Sequence, residues 1–355
     1  MRKVRVLLVE DSAVVRELLA HIVASDPRLE VAAAVSSAEE ALRVLPRLQP
    51  DVISMDIRLP GMNGLEATQR IMAEQPTPIV VIAGSVHSDD LNIAMNALKS
   101  GALSVLEKPH GRTHENYGAE AQRICTQLYI MSDVSVIRQR RPPLEASPSV
   151  AAVPARPPVR SGTGPLALLG VVASTGGPNA LVQLLQGLGP DFGLPIAVVQ
   201  HISPSFHHGF VDWLGGVISQ TVCVAEHGQV PQPGSVYVAP PDHHLEFGRE
   251  QFRLIEAPPV KLQRPSGTRL FSSMAVTLGP RAVGVLLTGM GDDGADGLVA
   301  LRKAGGYTIA EDASTCVVYG MPAAAVERGG VIESLPLTAI APRLLALCAR
   351  EEGVR

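Results

Sequence analysis

Residues 166–188 read LALLGVVASTGGPNALVQLLQGL. LALLGVVA is an uncharged run of strand length, and the leucines of ALVQLLQGL return at spacings of three and four, the helical period. A buried strand, a glycine-rich turn and a helix make the repeating unit of a parallel α/β sheet, which carries its ligands at the carboxyl ends of its strands. Ser174, Thr175, Gly176 and Gly177 occupy that position. The turn admits two chemistries. Backbone amides at a helix start suit a phosphate, with Ser174 or Thr175 as cap; alternatively, the turn presents a serine as nucleophile. A Walker-type loop would end in Lys and a dinucleotide loop would read G-x-G-x-x-G, and this turn reads neither way.

Two further apolar runs in this half lead into reactive groups: LPIAVVQ into His201 and AVGVLLT into GMGDDGADG. If the three strands are parallel, their ends share one sheet edge, and residues far apart in sequence come within reach. A serine nucleophile needs a base, the base needs an orienting acid, and the developing oxyanion needs backbone amides. Ser174, His201 and an aspartate of GMGDDG fill those roles. The turn is not the G-x-S-x-G elbow of α/β-hydrolases, because Val172 holds the first Gly position, and the chain order here is Ser, His, Asp. His207, His208, His243 and His244 form two pairs, one on an expected loop after PSF and one beside the PPD turn, without metal-ligand spacing. Leu245 and Phe247 alternate against Phe252 and Leu254 around GREQ, which predicts an antiparallel hairpin at a sheet border.

The N-terminal part repeats the strand–helix alternation. VRVLLVE, VAAAV, DVISMDI, PIVVIAG and SVLEK are separated by helical patterns, including DDLNIAMNALKSG before the last, and predict a five-strand parallel sheet with helices on both faces. Glu10 and Asp11 follow the first strand, Asp56 the third, and Lys108 the fifth. Three acids and a lysine at one edge suit a hard divalent cation with a phosphoryl group: carboxylate oxygens hold Mg²⁺ and the ammonium neutralises added negative charge.

Between the halves, residues 138–164 read RQRRPPLEASPSVAAVPARPPVRSGTG, with six prolines and no apolar period, which predicts a semi-stiff linker. The expected division is a first domain over 1–130, a Pro/Arg-rich linker over 131–163 and a second domain over 164–355. The chain has 355 residues, 46% of them hydrophobic, and a net charge of -4 with both signs intermixed. That length gives each half a core of ordinary size, and the charge balance favours neither a nucleic-acid nor a membrane surface. No apolar stretch is long enough to span a membrane, and acidic Glu10 and Asp11 break the only run resembling a leader. Cys125, Cys223, Cys316 and Cys348 lie far apart, as reduced thiols of a cytoplasmic protein do.

Glu10-Asp11, the D-x-x-x-P-x-x-x-G run from Asp56 through Pro60 to Gly64, and Lys108-Pro109 closely resemble the receiver domain of response regulators, over residues 1 to about 130. The resemblance implies that Asp56 accepts a phosphoryl group from a histidine kinase, that Glu10 and Asp11 hold Mg²⁺ with it, and that Lys108 pairs with the phosphate. One departure stands out: the family places Ser or Thr at the end of the fourth strand, where simple register here gives Ala83, with Ser85 two residues on.

ASTGGP, QHI at 200–202, RPSGTRLF at 264–271, LTGMGDDGADGL at 287–298 and YGMPAAAVERGGV at 319–331 resemble the catalytic domain of chemotaxis protein-glutamate methylesterases. This second resemblance implies Ser174 as nucleophile, His201 as general base and Asp293 as orienting acid. Thr175 and the Met290 amide support the serine and its oxyanion, and Asp292 is a solvated loop charge. It further implies hydrolysis of glutamate methyl esters on chemoreceptor helices and deamidation of glutamines, with no cofactor for the ester step. The receiver is expected to cover the active-site edge until Asp56 is phosphorylated. A non-catalytic signalling adaptor and a DNA-binding regulator are the competing readings. The intact serine, histidine and aspartate set argues against the first, and the absence of a helix-turn-helix pattern after the linker against the second.

Overall fold

VRVLLV at the N-terminus forms β1 (Val4–Val9), whose last four residues are fully buried, and it runs beside β3 (Val52–Met55), buried along its whole length. The computed structural model describes residues 2–84, 95–98, 100–111, 113–134 and 165–352. The chain divides into two units, Met1–Ser147 and Pro148–Arg355.

The first unit orders its strands β2-β1-β3-β4-β5, all parallel, with β2 at Leu29–Val35, β4 at Ile79–Ala83 and β5 at Ser104–Glu107. The chain passes to one side of β1 for β2 and to the other for β3, which opens a crevice at the carboxyl ends of β1 and β3. Helices α1 (Ala13–Ser25), α2 (Ala38–Leu48), α3 (Gly64–Glu74) and α4 (Tyr117–Met131) connect or follow the strands. Ser12, Ser37 and Asn63 cap the first three, each side-chain oxygen accepting a backbone N–H at 3.4, 3.2 and 2.9 Å. Each cap stabilises its helix start by about 1 kcal/mol. Of the helix expected over DDLNIAMNALKSG, residues 95–98 are described and helical. The expected linker lies outside the described residues from 135 onward.

The second unit holds a seven-stranded parallel sheet of order β14-β13-β12-β6-β7-β9-β8. Its strands are β6 (Leu168–Ala173), β7 (Ile196–Gln200), β8 (Thr221–Val224), β9 (Ser235–Val238), β12 (Ala282–Leu286), β13 (Tyr307–Glu311) and β14 (Glu333–Leu335). The helices are α5 (Gly177–Leu188), α6 (Pro204–Val217), α7 (Gly267–Thr277), α8 (Ala295–Lys303), α9 (Met321–Glu327) and α10 (Leu337–Glu352). Val172, Leu286, Phe271, Met274, Leu298 and Leu301 form part of the buried core of this unit. A side chain such as Phe271 contributes roughly 2–3 kcal/mol by leaving water.

The hairpin predicted around GREQ is present, as β10 (His244–Gly248) and β11 (Gln251–Ile255), with Leu245 opposite Leu254 and Phe247 opposite Phe252. It forms a separate two-stranded sheet and not a border of the large one. Its two edges are taken up elsewhere: on β10 the Phe247 N–H donates to Ser273 Oγ of α7 at 2.9 Å and Thr277 Oγ1 donates to the Phe247 carbonyl at 2.9 Å, and on β11 Phe252 exchanges backbone hydrogen bonds with Gly228 and Gln229, both at 2.8 Å. None of the four cysteines is in a disulfide. Among the described residues, no helix is long and apolar enough to cross a membrane.

Candidate active site

In the seven-stranded sheet β6 lies between β7 and β12: the chain goes from β6 to β7 on one side and later returns to β12 on the other, so the strand order reverses at β6 and the crevice opens at its carboxyl end. Ala173 pairs with Gln200, which sets Ser174 beside His201 at adjacent strand ends. On the other flank Leu286 pairs with Val172, and the Ser174 N–H donates to the Thr288 carbonyl at 3.1 Å. Three segments far apart in sequence are therefore locked in register at one edge.

The turn after β6 needs both its glycines. Gly176 has φ +80°, a left-handed conformation that side-chain-bearing residues rarely adopt. At Gly177 a Cβ would overlap the Gln200 carboxamide oxygen. Gln200 uses that position to join two strand ends: its Nε2 donates to the Ser174 and His201 carbonyls, both at 2.9 Å. Ser174 itself is half-buried.

His201 Nε2 lies 2.9 Å from Asp293 Oδ2. Asp293 also accepts from Ser266 Oγ at 2.6 Å, from the Gly267 N–H at 2.6 Å and from the Thr268 N–H at 3.2 Å. Burial pushes the Asp293 carboxyl up, but His201, Ser266 and the Gly267 amide outweigh it and hold the group at about 2. The carboxylate is thus ionised at the open N-terminus of α7, where backbone amides and the helix dipole favour negative charge. A ring that donates its Nε2–H to Asp293 has Nδ1 as its remaining nitrogen, the one able to accept a proton. Nδ1 is buried and has no hydrogen-bond partner among the described residues.

Beneath the turn, Thr288 joins three loops. Its Oγ1 donates to the Thr175 carbonyl at 3.0 Å and accepts the Val318 N–H at 2.9 Å, while its own N–H donates to Glu311 Oε2 at 2.8 Å. Glu311 is fully buried at the end of β13, and that burial raises its carboxyl above the usual range. Thr175 is buried, and Met290, between Gly289 and Gly291 of the loop after β12, is 38% exposed.

Asp292 differs from the solvated loop charge that was expected. Arg328 lies 2.5 Å and Lys261 2.9 Å from its Oδ2, and Arg328 also reaches Asp296 at 2.7 Å. These ion pairs, with Arg328 first, hold the Asp292 carboxyl below its ordinary range. The first histidine pair also differs from expectation. His207 and His208 lie on α6 and not on a loop; His207 Nε2 is 2.8 Å from the Ala239 carbonyl, and His244 Nε2 is 3.0 Å from the Pro258 carbonyl. None of the four belongs to a group of three potential metal ligands among the described residues.

In the first unit, Glu10, Asp11 and Asp56 bring one oxygen each to within 4.8 Å of one another. Lys108 Nζ stands 2.9 Å from Glu10 and 2.9 Å from Asp56. Glu10 is pushed up to about 7, first by burial and then by the Asp56 charge, and burial also raises Asp56. Crowded acids with one ammonium form a pocket with surplus negative charge, and an all-oxygen donor set fits Mg²⁺. Gly64 completes the motif read from sequence, because a Cβ there would overlap the Asp56 carbonyl. The β4 strand ends at Ala83, whose carbonyl accepts the Lys108 N–H at 2.9 Å, and Ser85 lies outside the described residues.

Sequence reading missed Glu311. It quoted QHI, LTGMGDDGADGL and RPSGTRLF without assigning roles to Gln200, Thr288, Ser266, Gly267 and Thr268. The signal for these last three was present: small polar residues directly before an apolar helical pattern mark an N-terminus able to hold an anion.

A sequence profile described as CheB methylesterase matches residues 169–344, and one described as response regulator receiver domain matches residues 6–114. Protein-glutamate methylesterase/protein-glutamine glutaminase 2 of Paramagnetospirillum magneticum is 56% identical over 346 residues, 97% of each chain. Protein-glutamate methylesterase/protein-glutamine glutaminase of Nitrosospira multiformis is 41% identical over 98% of this chain and 97% of its own. Among solved structures, the Thermotoga maritima CheB methylesterase catalytic domain shares 34% identity, with a TM-score of 0.49, over 52% of this chain and 100% of its own.

Proposed function

Since this chain belongs to the CheB methylesterase family and carries a response regulator receiver domain, we propose that Ser174, His201 and Asp293 are the triad with which it hydrolyses glutamate methyl esters. The family reaction is protein-glutamate methyl ester hydrolysis with protein-glutamine deamidation, under control of receiver phosphorylation. The observation that carries the assignment of residues is the 2.9 Å His201–Asp293 contact at the strand end adjacent to Ser174.

Ser174 Oγ attacks the γ-carbonyl of the ester as its proton passes to His201 Nδ1. Asp293 keeps the ring oriented through Nε2 and stabilises the imidazolium that forms. The tetrahedral oxyanion takes hydrogen bonds from backbone amides of the Met290 loop, with Thr175 supporting the serine; one such donor contributes about 3 kcal/mol to the transition state. His201 returns its proton to the leaving methoxide, which departs as methanol. Water then gives a proton to His201 and its oxygen to the acyl carbon, releasing glutamate and restoring Ser174. With a glutamine side chain the same steps release ammonia.

The substrates are cytoplasmic helices of methyl-accepting chemoreceptors, and the phosphodonor for Asp56 is a chemotaxis histidine kinase. Glu10, Asp11 and Asp56 would hold a Mg²⁺ ion, which neutralises charge as a phosphoryl group arrives. Lys108, 2.9 Å from Asp56, pairs with the new phosphate in this reading. The test is methanol release from membranes carrying methylated chemoreceptors. The purified protein should release methanol from them and none from unmethylated membranes; no release from methylated membranes would overturn the reading.

A further inference from the structure

The chain leaves β5 as Lys108-Pro109-His110 and re-enters regular structure at α4, and this connection carries an H-x-x-x-H spacing, His110 and His114, with Glu120 in the first turn of the helix. The spacing matches histidine pairs that ligate zinc. The three side chains converge: one donor atom from each lies within 4.8 Å of the other two. The imidazoles of His110 and His114 are stacked, with centroids 4.4 Å apart and planes 18° from parallel. Glu120 grips His110 at two points, its Oε1 2.8 Å from the ring Nδ1 and its Oε2 accepting the backbone N–H at 2.9 Å. Both imidazoles are exposed, and the carboxylate is half-buried.

We propose that His110, His114 and Glu120 form a site for a borderline divalent transition ion, of which Zn²⁺ is the probe, separate from the acidic pocket at Asp56. The chemistry divides the two sites. Glu10, Asp11 and Asp56 offer only carboxylate oxygen, the donor of a hard ion such as Mg²⁺. Two imidazoles and one carboxylate are the donor set that d-block ions prefer over Mg²⁺, with remaining positions filled by water. Donor atoms on a tetrahedral ion stand roughly 3.3 Å apart, given metal–ligand distances of about 2 Å. The rings are exposed and their donors already lie within 4.8 Å of one another, so the closing movement the site requires is small. Two hydrogen bonds occupy that space: the His110–Glu120 contact, and a long one in which the Asn116 N–H donates to His114 Nδ1 at 3.3 Å. An ion replaces both and ties the loop that begins two residues after Lys108 to the first turn of α4.

Calorimetric titration of the untagged full chain with ZnCl₂, in buffer holding Mg²⁺ in large excess, tests the site. The wild type should bind one equivalent of Zn²⁺ in a saturable step that Mg²⁺ does not displace. His114→Ala and Glu120→Gln should each lose that step while keeping the wild-type melting temperature and basal esterase rate. Absence of saturable Zn²⁺ binding by the wild type would overturn the proposal. So would displacement by Mg²⁺, or unchanged stoichiometry and affinity in the His110→Ala/His114→Ala double variant, which would move the binding to other histidines or to the free thiols.

Discussion

Asp292 and Asp293 are consecutive, yet one is paired with two cations near the surface and the other is 2% exposed beneath His201. Substitution should separate them. Asp293→Asn should lower kcat by at least about a hundredfold, because the amide cannot hold the Nε2–H tautomer against its other donors. Asp292→Asn should stay within about fivefold of wild type, the scale of an exposed ion pair. Steady-state kinetics of the two variants in parallel decide the matter, and the opposite ranking would transfer the role to Asp292. Glu311 acts one step further out, by holding the Thr288 N–H under the Ser174 turn. Glu311→Leu would leave that buried donor unpaired, at a cost of about 1–3 kcal/mol, and should lower both kcat and melting temperature, whereas Glu311→Gln keeps an acceptor and should restore both. Equal behaviour of the two variants would remove Glu311 from the account. Ser174 and His201 could be read from sequence because each directly follows an apolar strand. The choice between two adjacent aspartates came only through family resemblance, since burial within a loop leaves no periodic mark. Glu311 left no mark of its own either, being one acid at the end of a run that had not been read as a strand.

At the level of elements, the β6–α5 turn is where sequence and function meet most tightly. Gly177→Ala places a methyl group against Gln200 and the Ala173 Cβ, an overpacking that costs about 1–3 kcal/mol. It should also disturb the Gln200 bridge between the Ser174 and His201 strand ends. The expected result is a lower melting temperature together with a lower kcat, measured by thermal denaturation and esterase assay on one preparation. An unchanged kcat in a destabilised variant would show that the bridge does not position the serine. Strong apolar runs such as LALLGVVA declared themselves as strands. The four-residue β8, with its exposed and half-buried side chains, and the three-residue β14 are too short to show a period. The hairpin was legible from its alternation, but its attachment to α7 was not, because Ser273 and Thr277 make those hydrogen bonds from residues beyond the RPSGTRLF motif, to which no role had been given.

For the whole molecule, two parallel sheets were legible from the alternation of apolar runs and helical periods, and the proline-rich stretch at 138–164, read as a linker, lies outside the described residues. What no single-residue pattern supplies is how phosphorylation at the proposed acceptor Asp56 would act on the proposed nucleophile Ser174. If the receiver restrains the esterase, a small-molecule phosphodonor with Mg²⁺ should raise the rate of the full chain but not of Asp56→Ala. Residues 165–355 alone should be faster than the unphosphorylated full chain and indifferent to the donor. Equal rates for full-length and truncated protein, with no response to the donor, would refute restraint and leave the hydrolase assignment standing. The central claim is the identity of the attacking atom, and its most direct test is methanol release from methylated chemoreceptors by Ser174→Ala. Ser174 is half-buried on a turn held by backbone contacts, so the variant should keep the wild-type melting temperature while its kcat falls by at least about a thousandfold; turnover within about tenfold of wild type by the folded variant would contradict the triad.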